Sequence, residues 1–191
     1  DITKSTLYFA KGVILVEGIS EAILMPVLAQ RMGVDLRKKQ ISVIPICGVS
    51  FEIFKKIFNE KVFDIPVAII TDGDPEIEYP QKTVVKNGVQ KQIADWENAI
   101  VKDEATICDR TQNLLNAFSE KKCVKHSSVT LEYDLAIASE DNPSTIVKAW
   151  EKCFVGTPQT LNESEVNNLS HLKEKALRIW RVVCLSGNSH G

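Results

Sequence analysis

The sequence predicts an α/β fold: a mainly parallel sheet flanked by helices, with a small insertion and a long C-terminal helix. Three observations lead there. Apolar runs at "GVILVEG", "ISVIPICG" and "PVAIIT" are continuous rather than alternating, as strands covered on both faces are. Between them lie segments with helical spacing, which gives the order β-α-β-α-β expected of parallel strands joined by crossovers. Acidic residues stand at the ends of two of the three runs, Glu17 in the first and Asp72 and Asp74 just after the third.

Taken in order, Gly12 to Gly18 is a short β-branched strand closed by glycine. "SEAILMPVLAQRMG" then reads as a helix with Ser20 as N-cap, Glu21 in the first turn and Gly33 past the C-terminus. Pro26 falls inside it and should kink it, because its ring opposes the carbonyl four residues back. Ile41 to Gly48 is the second strand. In Ser50 to Glu60 the side chains of Phe51, Phe54, Ile57 and Phe58 share one helical face. Pro66 to Thr71 is the third strand. Beyond Pro75 the pattern loosens, and "KTVVKNGVQKQ" reads as a small hairpin turning on Asn87-Gly88. Asp109 to Glu120 has helical character, "KKCVKH" is a strand candidate, and "SSVTLEYDLAIAS" holds a helix capped near Thr130. Glu163 to Cys184 reads as one long amphipathic helix burying Leu169, Leu172, Ala176, Ile179, Trp180 and Val183. The expected division of residues 1–191 is a core over about 11–140, an insertion over about 76–108 and a helical part over about 143–185.

With 191 residues and 44% hydrophobic content, the chain can bury the core of one domain. A net charge of −2 argues neither for nor against a polyanionic partner. Five cysteines, Cys47, Cys108, Cys123, Cys153 and Cys184, form no CxxC pair and suit the reduced thiols of a cytoplasm. No signal peptide and no membrane-spanning apolar stretch is visible, so no membrane partner is expected. The first residue is Asp1 and a strand follows almost at once, which suggests a piece of a longer protein.

The acidic residues carry the chemistry. Ligands of an open parallel sheet bind beyond the carboxyl ends of its strands. Glu17 closes the first strand, Glu21 opens the following helix, and Asp72 and Asp74 close the third strand with Gly73 as the expected tight turn between them. Crowded carboxylates repel unless protons or cations neutralise them, and hard divalent cations prefer oxygen donors. Magnesium or manganese is therefore the expected occupant, with two ions giving a phosphoryl-transfer site. The bland alternatives stay open: a lone DxD can be turn formation, and Glu21 can serve its helix dipole.

At these residues the chain resembles the Toprim domain, a Rossmann-like module, through "LVEG" with Glu17 and "TDGD" with Asp72 and Asp74. The stretches "LVEGISEAILMPVLA", "ICGVSFEIFKKIF", "IPVAIITDGDP" and "TLEYDLA" resemble in particular the OLD (overcoming lysogenization defect) family nucleases, over roughly Lys11 to Trp180. The resemblance implies a magnesium- or manganese-dependent DNA endonuclease in which Glu17, Glu21, Asp72 and Asp74 bind metals. Glu17, Asp72 and Asp74 would act in catalysis, Glu17 as general base and the aspartate-bound metal at the departing 3′ oxygen. It adds Glu132 as a ligand of the second metal, with Asp134 and Ser128 as neighbours. Helix capping and dipole matching remain the alternatives for Glu132, Ser127, Ser128 and Thr130.

The resemblance further implies DNA as substrate, a prokaryotic cytoplasmic setting in phage defence or DNA repair, an N-terminal ATPase domain in the parent protein, and a homodimer compatible with that parent. No GxxxxGK[ST] phosphate loop occurs in this chain, so that ATPase half is expected to be absent. The family also places a lysine in a Lys-Gly context after a helix like the last one, and "LSGNSHG" contains none. Basic groups at Arg37 to Lys39, Lys55 and Lys56, Lys121 to Lys125, and Arg178 and Arg181 read as solvated faces, with the Lys121 to His126 segment the preferred DNA flank. The alternatives are a non-catalytic Toprim module that binds DNA or protein, and a DxD-type phosphatase. The phosphatase pattern places its DxD on the first strand, whereas here it follows the third. Cys123 and His126, a single C-x-x-H pair, are weak grounds for zinc.

Overall fold

The computed structural model describes residues 6–47, 51–59, 64–118, 122–154 and 161–186. In chain order the strands are β1 (Gly12–Val16), β2 (Ile41–Pro45), β3 (Val67–Thr71), β4 (Ile77–Glu78), β5 (Gln81–Lys86), β6 (Val89–Ala94), β7 (Ile100–Val101) and β8 (Lys122–His126). The helices are α1 (Ile19–Arg31), α2 (Phe51–Asn59), α3 (Asp109–Ala117), α4 (Leu131–Ile137), α5 (Asn142–Cys153), α6 (Glu163–Asn167) and α7 (Leu172–Trp180), followed by a π-helical turn over Arg181–Leu185. The chain divides into two compact units, residues 1–73 with 108–127 and residues 74–107 with 128–191.

The first unit holds the parallel sheet, in the order β2-β1-β3-β8. Val13, Leu15, Ile44, Val67 and Ile69 from its strands are buried with Phe51, Phe54 and Phe58 of α2 and Leu114 of α3. The continuous apolar runs thus become strands covered by helices, as their composition requires. Val16 pairs with Ile70, so Glu17 and the Thr71-Asp72 pair leave the sheet at the same edge. Gly48, Ser50, Glu60 and Lys121, named above as element ends or as part of a basic group, lie outside the described residues.

One expectation about α1 changes. Its N-cap is Gly18, not Ser20, because Glu21 folds back and one carboxylate oxygen accepts the Gly18 N–H at 3.0 Å. That half of a capping box satisfies a donor the helix itself cannot reach. Pro26 lies inside the helix, which runs without interruption from Ile19 to Arg31. Gly33 ends the helix as expected: with φ of +80° it donates to the Gln30 carbonyl at 3.0 Å, while Val34 donates to that of Ala29 at 2.8 Å. This is the Schellman arrangement, which needs a left-handed residue at the position Gly33 occupies.

The second unit begins with an antiparallel pair, β4 with β7, that sequence patterning did not reveal. Between them β5 and β6 form the expected hairpin, with Asn87 at φ 55° and Gly88 at φ 75°, the two left-handed residues a type I′ turn requires. Tyr133, Val147, Leu161, Val166, Ile179 and Trp180 are buried together in this unit's own core. Thr130 caps α4 as expected, its hydroxyl accepting the Tyr133 N–H.

The long C-terminal helix is the clearest correction. It is divided into α6, α7 and the π-helical turn, with residues 168–171 between the two helices. Asn162 caps α6 by accepting the Glu165 N–H at 2.8 Å, and Asn168, Ser170 and His171 populate the break. Such side chains compete for backbone hydrogen bonds and favour helix ends. Of the predicted stripe, Ala176, Ile179 and Trp180 are buried, whereas Leu169, Leu172 and Val183 are half-buried and Val182 is buried instead of Val183. Among the described residues no helix is long and apolar enough to cross a membrane.

Candidate functional site

In the first unit, Glu17 follows directly on β1 and its carboxylate points across to the end of β3. One oxygen, Oε1, accepts the Thr71 hydroxyl, the Asp72 N–H at 3.0 Å and Arg110 Nη2 at 2.9 Å. Thr71 is buried, so its hydroxyl needs this partner. The acid is thereby fixed at the strand ends by three donors on one oxygen, and its side chain is only 23% exposed.

Asp72 is held by a second set. Its carboxylate accepts the Ser127 hydroxyl at 3.0 Å, and its carbonyl accepts the hydroxyl of fully buried Thr111 at 2.8 Å. Gly73 donates to Ser127 Oγ at 3.3 Å and accepts the Cys108 N–H at 2.9 Å. The start of α3 and the end of β8 therefore clamp the DxD turn from both sides. Ser127 is part of this clamp rather than a helix cap. The left-handed residue of the turn is Asp74, with φ of 45°, and not Gly73. Aspartate tolerates that conformation better than most residues because its short polar side chain can bond locally.

Glu21 stands four residues after Glu17, and its Oε2 accepts the Gly18 N–H at the start of α1, a backbone contact beyond the dipole role the sequence offered for it. In the second unit, Asp74 donates its N–H to the Val129 carbonyl at 3.1 Å. Ser128 and Asp134 are brought together, the Ser128 N–H donating to both Asp134 oxygens at 3.0 and 3.1 Å. Glu132 Oε2 lies 3.5 Å from the Cys184 thiol, which also lies 3.8 Å from Thr130 Oγ1. Tyr133 donates to Glu104 at 3.0 Å, and burial, reinforced by that bond, raises its phenol above the ordinary range.

Among the described residues no three histidine, cysteine, aspartate or glutamate side chains are gathered as a ready metal cage. The donor chemistry around Glu17 nevertheless suits a hard cation: a carboxylate anchored through one oxygen, beside the carboxylate-bearing Asp72, with a guanidinium as its present cationic partner. Of the basic groups, Arg178 and Arg181 are structural. Arg178 Nε pairs with Glu165 at 2.6 Å, and Arg181 Nε donates to the Ala99 carbonyl at 2.9 Å. Burial lowers the Arg181 pKa from its usual value, with neighbouring Arg178 adding to the effect. The Cys123 side chain, half of the C-x-x-H pair, lies outside the described residues, as does His190.

Sequence reasoning missed Thr71, Arg110 and Thr111. Only Arg110 left a trace there, as a cation in the first turn of a helix, where the dipole disfavours it.

Residues 8–74 match the family model of the overcoming lysogenization defect protein-like TOPRIM domain. No curated protein matches the chain. Among solved structures, the C-terminal region of the Burkholderia pseudomallei OLD protein aligns at 21% identity and a TM-score of 0.50, covering 91% of this chain and 87% of that one. The corresponding region of the Xanthomonas campestris pv. campestris OLD protein aligns at 21% identity and a TM-score of 0.47, over 93% and 72%. The Burkholderia alignment supports the mixed α/β fold with its four-stranded parallel sheet. The segment that carries β1 to β3 with Glu17, Glu21, Asp72 and Asp74 is thus the part of the chain that is similar to the OLD-like TOPRIM domain.

Proposed function

We propose that this chain is the catalytic part of a divalent-metal-dependent DNA endonuclease, cleaving phosphodiesters with Mg2+ or Mn2+, two ions being the expected number. The observation that carries the reading is the pinning of Glu17 to the end of β3 within the segment that matches the OLD-like TOPRIM domain. When bound, such ions polarise the phosphate and lower the pKa of the attacking water.

The residues of the chain supply placement. Glu17 and Asp72 present carboxylates from two neighbouring strand ends, Glu17 oriented by the buried Thr71 hydroxyl and the Asp72 N–H and Asp72 by the half-buried Ser127 hydroxyl, so little reorganisation is needed when a cation arrives. Glu17 is the proposed proton acceptor for water. Glu21 can contribute only by leaving the Gly18 N–H or by sharing its second oxygen. Asp74, Glu132, Asp134 and Ser128 enter the proposal on the sequence resemblance alone. DNA as substrate, an ATPase domain in the parent protein and a dimer belong to the same proposal.

The test is nicking of supercoiled plasmid by the purified chain with Mn2+ or Mg2+, beside Glu17→Gln and Asp72→Asn. Metal-dependent nicking that falls at least about a hundredfold in both variants is the expected result. Nicking that persists in both, or none with either metal, would instead favour a non-catalytic binding module.

A further inference from the structure

Arg110 stands 93 positions from Glu17 in the chain, yet its Nη2 donates to Glu17 Oε1 at 2.9 Å. The contact is built from its base. Arg110 sits in the first turn of α3, and that turn is tied to the DxD strand end by Thr111 Oγ1 donating to the Asp72 carbonyl and by Cys108 N–H donating to the Gly73 carbonyl. Thr111 is fully buried, so the turn cannot shift without leaving the Asp72 carbonyl short of a donor.

The head group, in contrast, is 51% exposed. An ion pair at that exposure is weak and readily exchanged. A guanidinium in a first helical turn also opposes the helix dipole, so its position is justified by an anionic partner rather than by helix formation. Arginine offers a planar fork of donors that fits phosphate oxygens.

We propose that Arg110 is a phosphate-binding residue of the cleavage site, moving from Glu17 to a non-bridging oxygen of the bound DNA phosphate once cations take over the carboxylate. This rests on the endonuclease reading above. It predicts opposite signs for two affinities. Without DNA, Arg110 and the metal compete for Glu17, so removing the guanidinium strengthens metal binding. With DNA, the same removal deletes a phosphate contact.

The experiment compares the chain with Arg110→Ala and Arg110→Lys. Titration calorimetry with MnCl2 alone reads the first affinity. Fluorescence anisotropy of a short DNA duplex in Ca2+, from about 50 to 200 mM salt, reads the second. Arg110→Ala should bind Mn2+ several-fold more tightly and DNA about tenfold more weakly, with the slope of log affinity against log salt reduced by about one. Arg110→Lys should retain the slope and recover part of the affinity, since it keeps the charge and loses the fork. A merely structural arginine would weaken both affinities or neither, and either result overturns the assignment. If the parent chain nicks plasmid and Arg110→Ala matches it in Mn2+ affinity and salt slope, this inference alone fails. A parent chain that neither binds duplex nor nicks plasmid removes the endonuclease reading and this inference together.

Discussion

Glu17 and Asp72 illustrate how little freedom a strand-end carboxylate has once donors from neighbouring segments converge on it. Three donors converge on one oxygen of Glu17, and the Thr111 hydroxyl reaches the Asp72 backbone from another element. Thr111→Val preserves shape and deletes the hydroxyl, leaving the Asp72 carbonyl without that donor. We expect a loss of about 1 to 2 kcal/mol, read as a lower urea midpoint with unchanged slope. A midpoint equal to that of the parent would mean that water replaces the hydroxyl. At this scale the acids were legible in the sequence, because strand ends and an Asp-x-Asp spacing announce themselves. Their partners Arg110 and Thr111 were not, since both belong to a segment whose approach depends on chain reversal far from Glu17.

Local chemistry decided most element ends correctly. Gly33 closes α1 because a left-handed residue was required there, and Asn87-Gly88 turns the hairpin for the same reason. Gly33→Ala places a Cβ on a residue at φ of +80°, where open space surrounds it and backbone strain is the remaining cost. The expected destabilisation is about 1 kcal/mol, measurable as a lower thermal midpoint, and an unchanged midpoint would show that the helix end had refolded differently. Where apolar periodicity alone was followed, the reading failed. Residues 163–184 keep a stripe compatible with one helix, but capping by Asn162 and the polar run at 168–171 divide it. Periodicity reports which face is buried, whereas continuity depends on whether side chains capture the backbone.

For the molecule as a whole, stability should depend on acid through carboxylates in the second unit. The Asn98 amide above all holds Asp95 below the ordinary carboxylate range, the Ala105 N–H does so for Asp103, and the Ser144 hydroxyl with Lys148 does so for Glu163. A folded pKa below the unfolded value contributes stability that is fully present above the unfolded pKa and is lost as pH falls through the folded one. The thermal midpoint should therefore hold steady near neutrality and decline from about pH 5 to 3, with a shallower decline in Asp95→Asn. A midpoint indifferent to acid over that range would contradict the assignment of these bonds. The sequence by itself determined the α/β class, the succession of the first three strands along the chain, the hairpin turn and the acidic edge, because all of these follow from local periodicity, turn chemistry and the rule that parallel strands end on one side. Only the tertiary structure decided that Glu21 serves a helix cap, that Asp74 rather than Gly73 bends the backbone, and that Arg110 faces Glu17. Those outcomes depend on which donors reach a carboxylate in space, and separation along the chain does not encode that.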